Sequence, residues 1–241
     1  MFPLRDNIPT EHFPVVTVAL IIANAFVYFF LQDGLLGLPD GGAGGDWPVN
    51  QYAAIPCEFT GESPCLTAPG GPPTILTAFT SMFMHGSILH LGGNMLFLWI
   101  FGNNVEDSMG PFKFIVYYLL GGLAADAAQI AIGPNEAVPT IGASGAVAGV
   151  LGGYLLLFPR ARVVTVIFII FFFTILELPA LLFLVFWIGQ QFLFAYFDLI
   201  GPEEGGGVAY FAHIGGFVFG LLLIRVFASE QRRLRQIERM T

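Results

Sequence analysis

Apolar residues run along this chain in long blocks separated by short polar breaks. A helix needs about 20 mostly apolar residues to cross a bilayer. Blocks of that kind fall at 15–32, 82–102, 111–132, 144–158, 178–198 and 209–227, which predicts six membrane-spanning helices. The first block has no basic leader beyond Arg5 and no small-residue cleavage site after Leu31, so a retained span is expected rather than a signal peptide. The stretch 163–176 (VVTVIFIIFFFTIL) is apolar too. As a helix it would reach only about 21 Å, short of a roughly 30 Å core. Pro179 interrupts the run that joins it to the next block. One crossing is therefore expected there, at 178–198, with 163–176 re-entrant, interfacial or packed against the bundle. The expected fold class is an all-α membrane protein.

Composition supports lipid as the main solvent. Of 241 residues, 56% are hydrophobic and 11% charged, against about 45–50% and about 25% in soluble domains. Twenty-six are Phe, and the mean hydropathy is +0.76. Nine basic against seventeen acidic residues exclude an electropositive nucleic-acid binder.

Charge also sets an orientation. With six spans and a cytoplasmic N-terminus, Arg5, Lys113, Arg160, Arg162, Arg225, Arg232, Arg233, Arg235 and Arg239 all fall on the cytoplasmic side. The opposite loops carry acidic residues only, including Asp33, Glu58, Glu136 and Glu204. This is the positive-inside pattern. Residues 1–14 are then a cytoplasmic N-terminus, 15–228 the transmembrane domain, and 229–241 a basic cytoplasmic tail. The outer loop 33–77 is rich in Gly and Pro and holds both cysteines, Cys57 and Cys65. Outside the cytoplasm they can pair or remain two free thiols. No inverted repeat of the transporter kind is visible.

Polar side chains inside apolar spans are costly and mark function. Three groups stand out: Gly142-Ala143-Ser144-Gly145 opening the fourth span, His85, His90 and Asn94 entering the second, and His213 with Gly216 and Gly220 in the sixth. All three lie towards the outer face. Ser144 and His213 each sit about 24 Å above the cytoplasmic helix ends, at about 1.5 Å per residue, so their depths match. Gly145, Gly149 and Gly153 on one helix, and Gly216 and Gly220 on the other, form small-residue faces that let backbones approach closely. A serine hydroxyl needs a base to take its proton, and His213 is the base at that depth. His90 and Asn94 share one helix face and carry N–H donors suited to an oxyanion. Asp126 and Glu177 are isolated and read as structural.

With these motifs the chain resembles the rhomboid intramembrane serine proteases from about Thr80 to Gly220. The resemblance is carried by HGSILHLGGN (His85, His90, Asn94), FGNNVE (Gly102, Glu106), GASG (Gly142–Gly145) and AHIGGFVFG (His213, Gly216, Gly220). It implies a rhomboid-like six-helix bundle whose site opens outwards. It further implies Ser144 as nucleophile, His213 as general base, Asn94 and His90 on the oxyanion, and Glu106 tying helix ends at the cytoplasmic side. Where the family often carries a Trp-Arg pair, this chain has Leu76-Thr77. The Gly-rich connection 199–208 is expected to cap the site, and Trp187, Gln190 and Gln191 to form a substrate-facing gate.

The expected activity is that of a serine endopeptidase cleaving transmembrane segments of membrane-protein substrates, with no cofactor and no metal. The partners are transmembrane substrates and the lipid bilayer, not nucleic acid. The expected location is a bacterial cell membrane, multi-pass, with both termini cytoplasmic. Two alternatives belong to other classes: a catalytically inactive rhomboid-like binding protein, and a channel or transporter.

Overall fold

A computed structural model describes residues 1–32, 49–61, 65, 71–169, 172–201 and 207–238. Half of the connection 199–208, the greater part of the loop before Thr74 and the last three residues, Arg239 among them, lie outside the described residues.

The chain opens with strand β1 (Phe2–Asp6). Helix α1 (Val15–Phe26) follows and runs on as a π-helical turn to Gln32. Three short helices, α2 (Val49–Tyr52), α3 (Pro56–Thr60) and α4 (Thr74–Thr80), build the rim. Helix α5 (Ile88–Phe97) passes through a π turn, Leu98–Gly102, into α6 (Asn103–Met109). After Gly110, α7 (Pro111–Ile132) and α8 (Ser144–Leu157) follow. A hairpin of β2 (Arg162–Ile169) and β3 (Phe172–Pro179) leads to α9 (Ala180–Ile200), α10 (Tyr210–Phe227) and α11 (Glu230–Glu238).

The protein is mostly helical. Among the described residues, four helices are long and apolar enough to cross a membrane: Val15–Gln32, Pro111–Ile132, Ala180–Ile200 and Tyr210–Phe227. Ser144–Leu157 is apolar but shorter. The expected second span starts later than 82, because Ser81–Phe83 forms a separate 3-10 turn and Ser87 caps α5 by accepting the His90 N–H at 3.1 Å. Large apolar side chains such as Ile22, Leu182, Phe192 and Leu222 are exposed on the outside, which suits lipid and not water.

One segment corrects the all-helical expectation. Residues 163–169 and 172–176 are not helical; they belong to the β2–β3 hairpin, whose near end packs against the bundle through Val163 and Thr165. The reason is local: Val163, Val164, Thr165, Val166 and Ile167 are β-branched and stiff, fitting a pleated surface. A third strand completes the sheet, in the order β1-β2-β3, all antiparallel, with Phe2 opposite Val166 and Asp6 opposite Val163. Residues 1–14 are thus not a bare tail. Val163 and Thr165 point inward and are fully buried, while Phe168 and Phe173 at the far end are exposed.

Three ties hold one end of the bundle together. Glu106 on α6 caps α1 across a long sequence distance, accepting from Val16 N–H (3.0 Å), Thr17 N–H (2.7 Å) and Thr17 Oγ1 (2.8 Å). A carboxylate at a helix N-terminus satisfies free N–H groups and complements the dipole. Asp107 accepts from Glu11 N–H and Gln236 Nε2 and meets His12 Nδ1 at 2.8 Å. Asp6 accepts from Tyr154 Oη and Asn104 Nδ2. Lys113 Nζ donates to the Phe227 carbonyl and Arg235 Nε meets Glu11, so several of the basic residues gather at this end.

Candidate active site

The site is set by how closely α8 and α10 pack. A Cβ on Gly216 would run into the Gly145 carbonyl oxygen, one on Gly220 into that of Gly149, and one on Gly152 into that of Phe217. Only hydrogen fits at these crossings, so the two backbones touch. Tyr117 Oη donates to the Gly149 carbonyl at 2.8 Å and holds α7 against the same seam.

That packing brings Ser144, the first residue of α8, to His213 in the first turn of α10. Ser144 Oγ and His213 Nε2 are 2.8 Å apart. The histidine is buried, 8% exposed, and the serine half-buried. His213 Nδ1 lies 2.8 Å from Gln191 Oε1 on α9, and the Trp187 ring stands 5.9 Å away, centroid to centroid. Gln129 Oε1 on α7 accepts the Ala212 N–H at 3.3 Å and pins the start of α10.

The approach to Ser144 is shaped by Gly142. Its φ of +125° lies where side chains are strained, and a Cβ there would stand 2.8 Å from His90 Nε2. His90 Nε2 and Ser144 Oγ thus flank the same glycine. His90 Nδ1 accepts the Gly86 N–H at 3.3 Å, which leaves the proton of the neutral ring on Nε2, facing the serine. Asn94, one turn further along α5, is buried and its Nδ2 has no hydrogen-bond partner. No side chain caps α8, so its first N–H groups are free beside Ser144.

His85 does not join this group at the cavity surface. It is fully buried behind it, where Nε2 accepts the Ala143 N–H at 3.5 Å and the ring meets His90 edge-on. Gln32 grips its backbone from α1, its Oε1 accepting the His85 N–H at 2.9 Å. Gly145, Gly216 and Gly220 lie in the helix seam, and Glu106 lies at the far end of the bundle on α6. No group of three or more metal-ligating side chains occurs among the described residues.

Ser144, His213, His90, Asn94, Asp126 and Trp187 line one cavity of about 1440 Å³. The rim is stiffened by the disulfide Cys57–Cys65, one of the two alternatives left open by the sequence. Its segment docks on the loop before Ser144: Ala54 bridges Thr140, Cys57 N–H donates to the Glu136 carbonyl at 3.0 Å, and Thr60 Oγ1 to that of Pro134 at 2.7 Å.

Sequence reasoning placed Gln191 at a gate and missed its contact with His213. The available signal was an amide pair, Gln190 and Gln191, in the middle of a mostly apolar helix. Gln129 was missed for the same reason.

Residues 72–230 match the family described as Rhomboid domain. The chain is similar to Rhomboid protein 1, mitochondrial, of Saccharomyces cerevisiae, with 31% identity over 66% of this chain and 44% of that protein. It is 26% identical to the mouse presenilin-associated rhomboid-like protein, mitochondrial, over 60% of this chain and 36% of the relative. Rhomboid protease GluP of Bacillus subtilis is 38% identical over 32% of this chain and 14% of its own length. The chain therefore spans less than half the length of these relatives. Two of the three are named as mitochondrial, so the comparisons lend no support to the expected bacterial membrane.

Proposed function

The chain belongs to the rhomboid family, and from that premise we propose that it is an intramembrane serine endopeptidase that cuts transmembrane segments of membrane-protein substrates. The observation that carries the reading is the 2.8 Å contact between Ser144 Oγ and His213 Nε2 at the wall of a cavity.

The chemistry follows from those atoms. Ser144 Oγ attacks the scissile carbonyl carbon while His213 Nε2 takes its proton. The carbonyl oxygen becomes an oxyanion and receives hydrogen bonds from Asn94 Nδ2, His90 Nε2–H and the first N–H groups of α8. Collapse breaks the peptide C–N bond, and His213 returns its proton to the leaving amine. Water then gives a proton to His213 as its oxygen attacks the ester carbon; collapse breaks the Ser144 Oγ–C bond, His213 returns the proton to Oγ, and the acid product leaves. The unpartnered Asn94 amide supports this assignment, because a buried donor without an acceptor costs about 1–3 kcal/mol unless a ligand supplies one.

The substrate helix enters from lipid and unwinds at the cavity, since helical hydrogen bonds shield the scissile carbonyl. Gly or Pro near the cut favours that unwinding. The basic residues gathered at the α6–α7 and α10–α11 junctions support a cytoplasmic placement of that end, with the serine on the outer side. The membrane domain is 15–228, with six crossings, flanked by 1–14, which adds β1 to the hairpin, and by the basic segment 229–241.

Labelling by a fluorophosphonate in detergent tests the proposal. Wild type takes up the probe and Ser144→Ala does not; equal labelling of both, or none of wild type, would remove the nucleophile.

A further inference from the structure

We propose that Gln191 is the positioning residue of the site, holding His213 in the tautomer that can accept the Ser144 proton. This rests on the Ser144–His213 reading above and adds a third member to it, supplied by α9.

The argument begins with the amide. Gln191 Nε2 donates to the Trp187 carbonyl, one turn back on its own helix, at 3.2 Å. That bond orients the amide, because a flipped group would set Oε1 against the Trp187 carbonyl oxygen, two acceptors face to face. With Nε2 engaged, Oε1 is the atom aimed at His213, 2.8 Å from Nδ1. An amide oxygen only accepts, so Nδ1 must carry the ring proton. In a neutral imidazole the other nitrogen then holds a lone pair. That nitrogen is Nε2, and the atom 2.8 Å from it is Ser144 Oγ. The Trp187 carbonyl, the Gln191 amide, the His213 ring and the Ser144 hydroxyl thus form one chain of hydrogen bonds with a single consistent direction.

The same contact serves the next state. When Nε2 takes the serine proton, the Nδ1–H bond to Oε1 becomes charge-assisted and strengthens. Gln191 and His213 are both 8% exposed. A carboxylate at this depth would cost several kcal/mol to desolvate, and a neutral amide does the orienting without that cost. Trp187 supports the arrangement twice, through its carbonyl and through its ring beside the imidazole.

The test uses the full chain in liposomes with a fluorogenic transmembrane substrate, and Gln191→Leu, Gln191→Glu, Ser144→Ala and His213→Ala as variants. Gln191→Leu keeps the size and loses the acceptor. It should lower kcat by about 10–100-fold, the range known for metal-bound imidazoles that lose an orienting partner, with KM within about twofold. Gln191→Glu keeps an acceptor for Nδ1–H and should turn over faster than Gln191→Leu, with a lower melting temperature than wild type because its carboxyl is buried. Nitrogen-15 spectra of labelled imidazoles report the tautomer directly. His213 in wild type should be protonated on Nδ1, and Gln191→Leu should show a mixture. A wild-type His213 protonated on Nε2 would overturn the proposal even if every variant misfolded, as would wild-type kcat in Gln191→Leu. Turnover by Ser144→Ala or His213→Ala would instead defeat the underlying protease reading, so the two failures are told apart.

Discussion

Gly216 lies against the carbonyl oxygen of Gly145, with no room for a methyl group between them. Gly145 follows the candidate nucleophile and Gly216 lies one turn beyond the candidate base, so this backbone contact fixes how far apart the two functional side chains stand.

Gly216→Val should therefore inactivate without touching a catalytic atom. Overpacking a tight interior costs about 1–3 kcal/mol, and here the clash is with backbone, which cannot rotate away. Turnover should be lost and the melting temperature in detergent should fall. Retention of both would mean that the helices are not held by this contact.

Asn94→Ala separates oxyanion support from nucleophile activation. Removing one such donor typically costs about 10²–10³ in kcat, or about 2.7–4 kcal/mol. Because Asn94 Nδ2 has no partner in the resting structure, stability should not fall with activity. Steady-state turnover beside a thermal melt checks this; a kcat within twofold of wild type would remove Asn94 from the oxyanion site.

Asp6 gives a pH dependence at the other end of the molecule. Burial raises its carboxyl from 3.8 to about 6, against the hydrogen bonds from Tyr154 and Asn104 that lower it. A raised acid favours the folded state most below its unfolded value near 4, and that advantage is lost as pH rises through about 6. Docking of β1 should thus be tighter at pH 5 than at pH 7.5, read as larger amide protection factors, exchange divided by its intrinsic rate at each pH, at residues 2 and 4–6. Asp6→Asn should flatten the difference; an unchanged pH response in that variant would assign it to another group.

The Cys57–Cys65 bond closes a short loop, for which the chain-entropy account gives somewhat less than the roughly 3 kcal/mol of a 15-residue loop. Intact mass should rise by about 2 Da on reduction, one hydrogen for each sulfur of the bond. Two free thiols in unreduced protein would contradict the pairing.

The helical scaffold and the motifs around Ser144, His213 and the glycine seam were legible in the sequence because lipid makes the signals loud. A histidine is costly in an apolar span, and a run of spaced glycines there marks a close helix contact. The hairpin was not legible. A continuous apolar run such as VVTVIFII has no period, so strand and helix read alike. Its third strand comes from FPLRD, which carries no alternation and becomes a strand only because β2 offers an edge. The motif FGNNVE marked Glu106 as tying helix ends, but that the end it caps is α1, and that Gln191 meets His213, depend on contacts distant in the chain.

The most direct measurement is the cleavage of a single transmembrane substrate by wild type, Ser144→Ala, His213→Ala and the double variant in liposomes, with products identified by mass. The account predicts one cut within the membrane segment by wild type. Each single variant should be inactive yet folded, and the double variant no worse than either, because the two residues act as one unit. Near wild-type turnover by His213→Ala would show that another group takes the serine proton, and the dyad would be wrong.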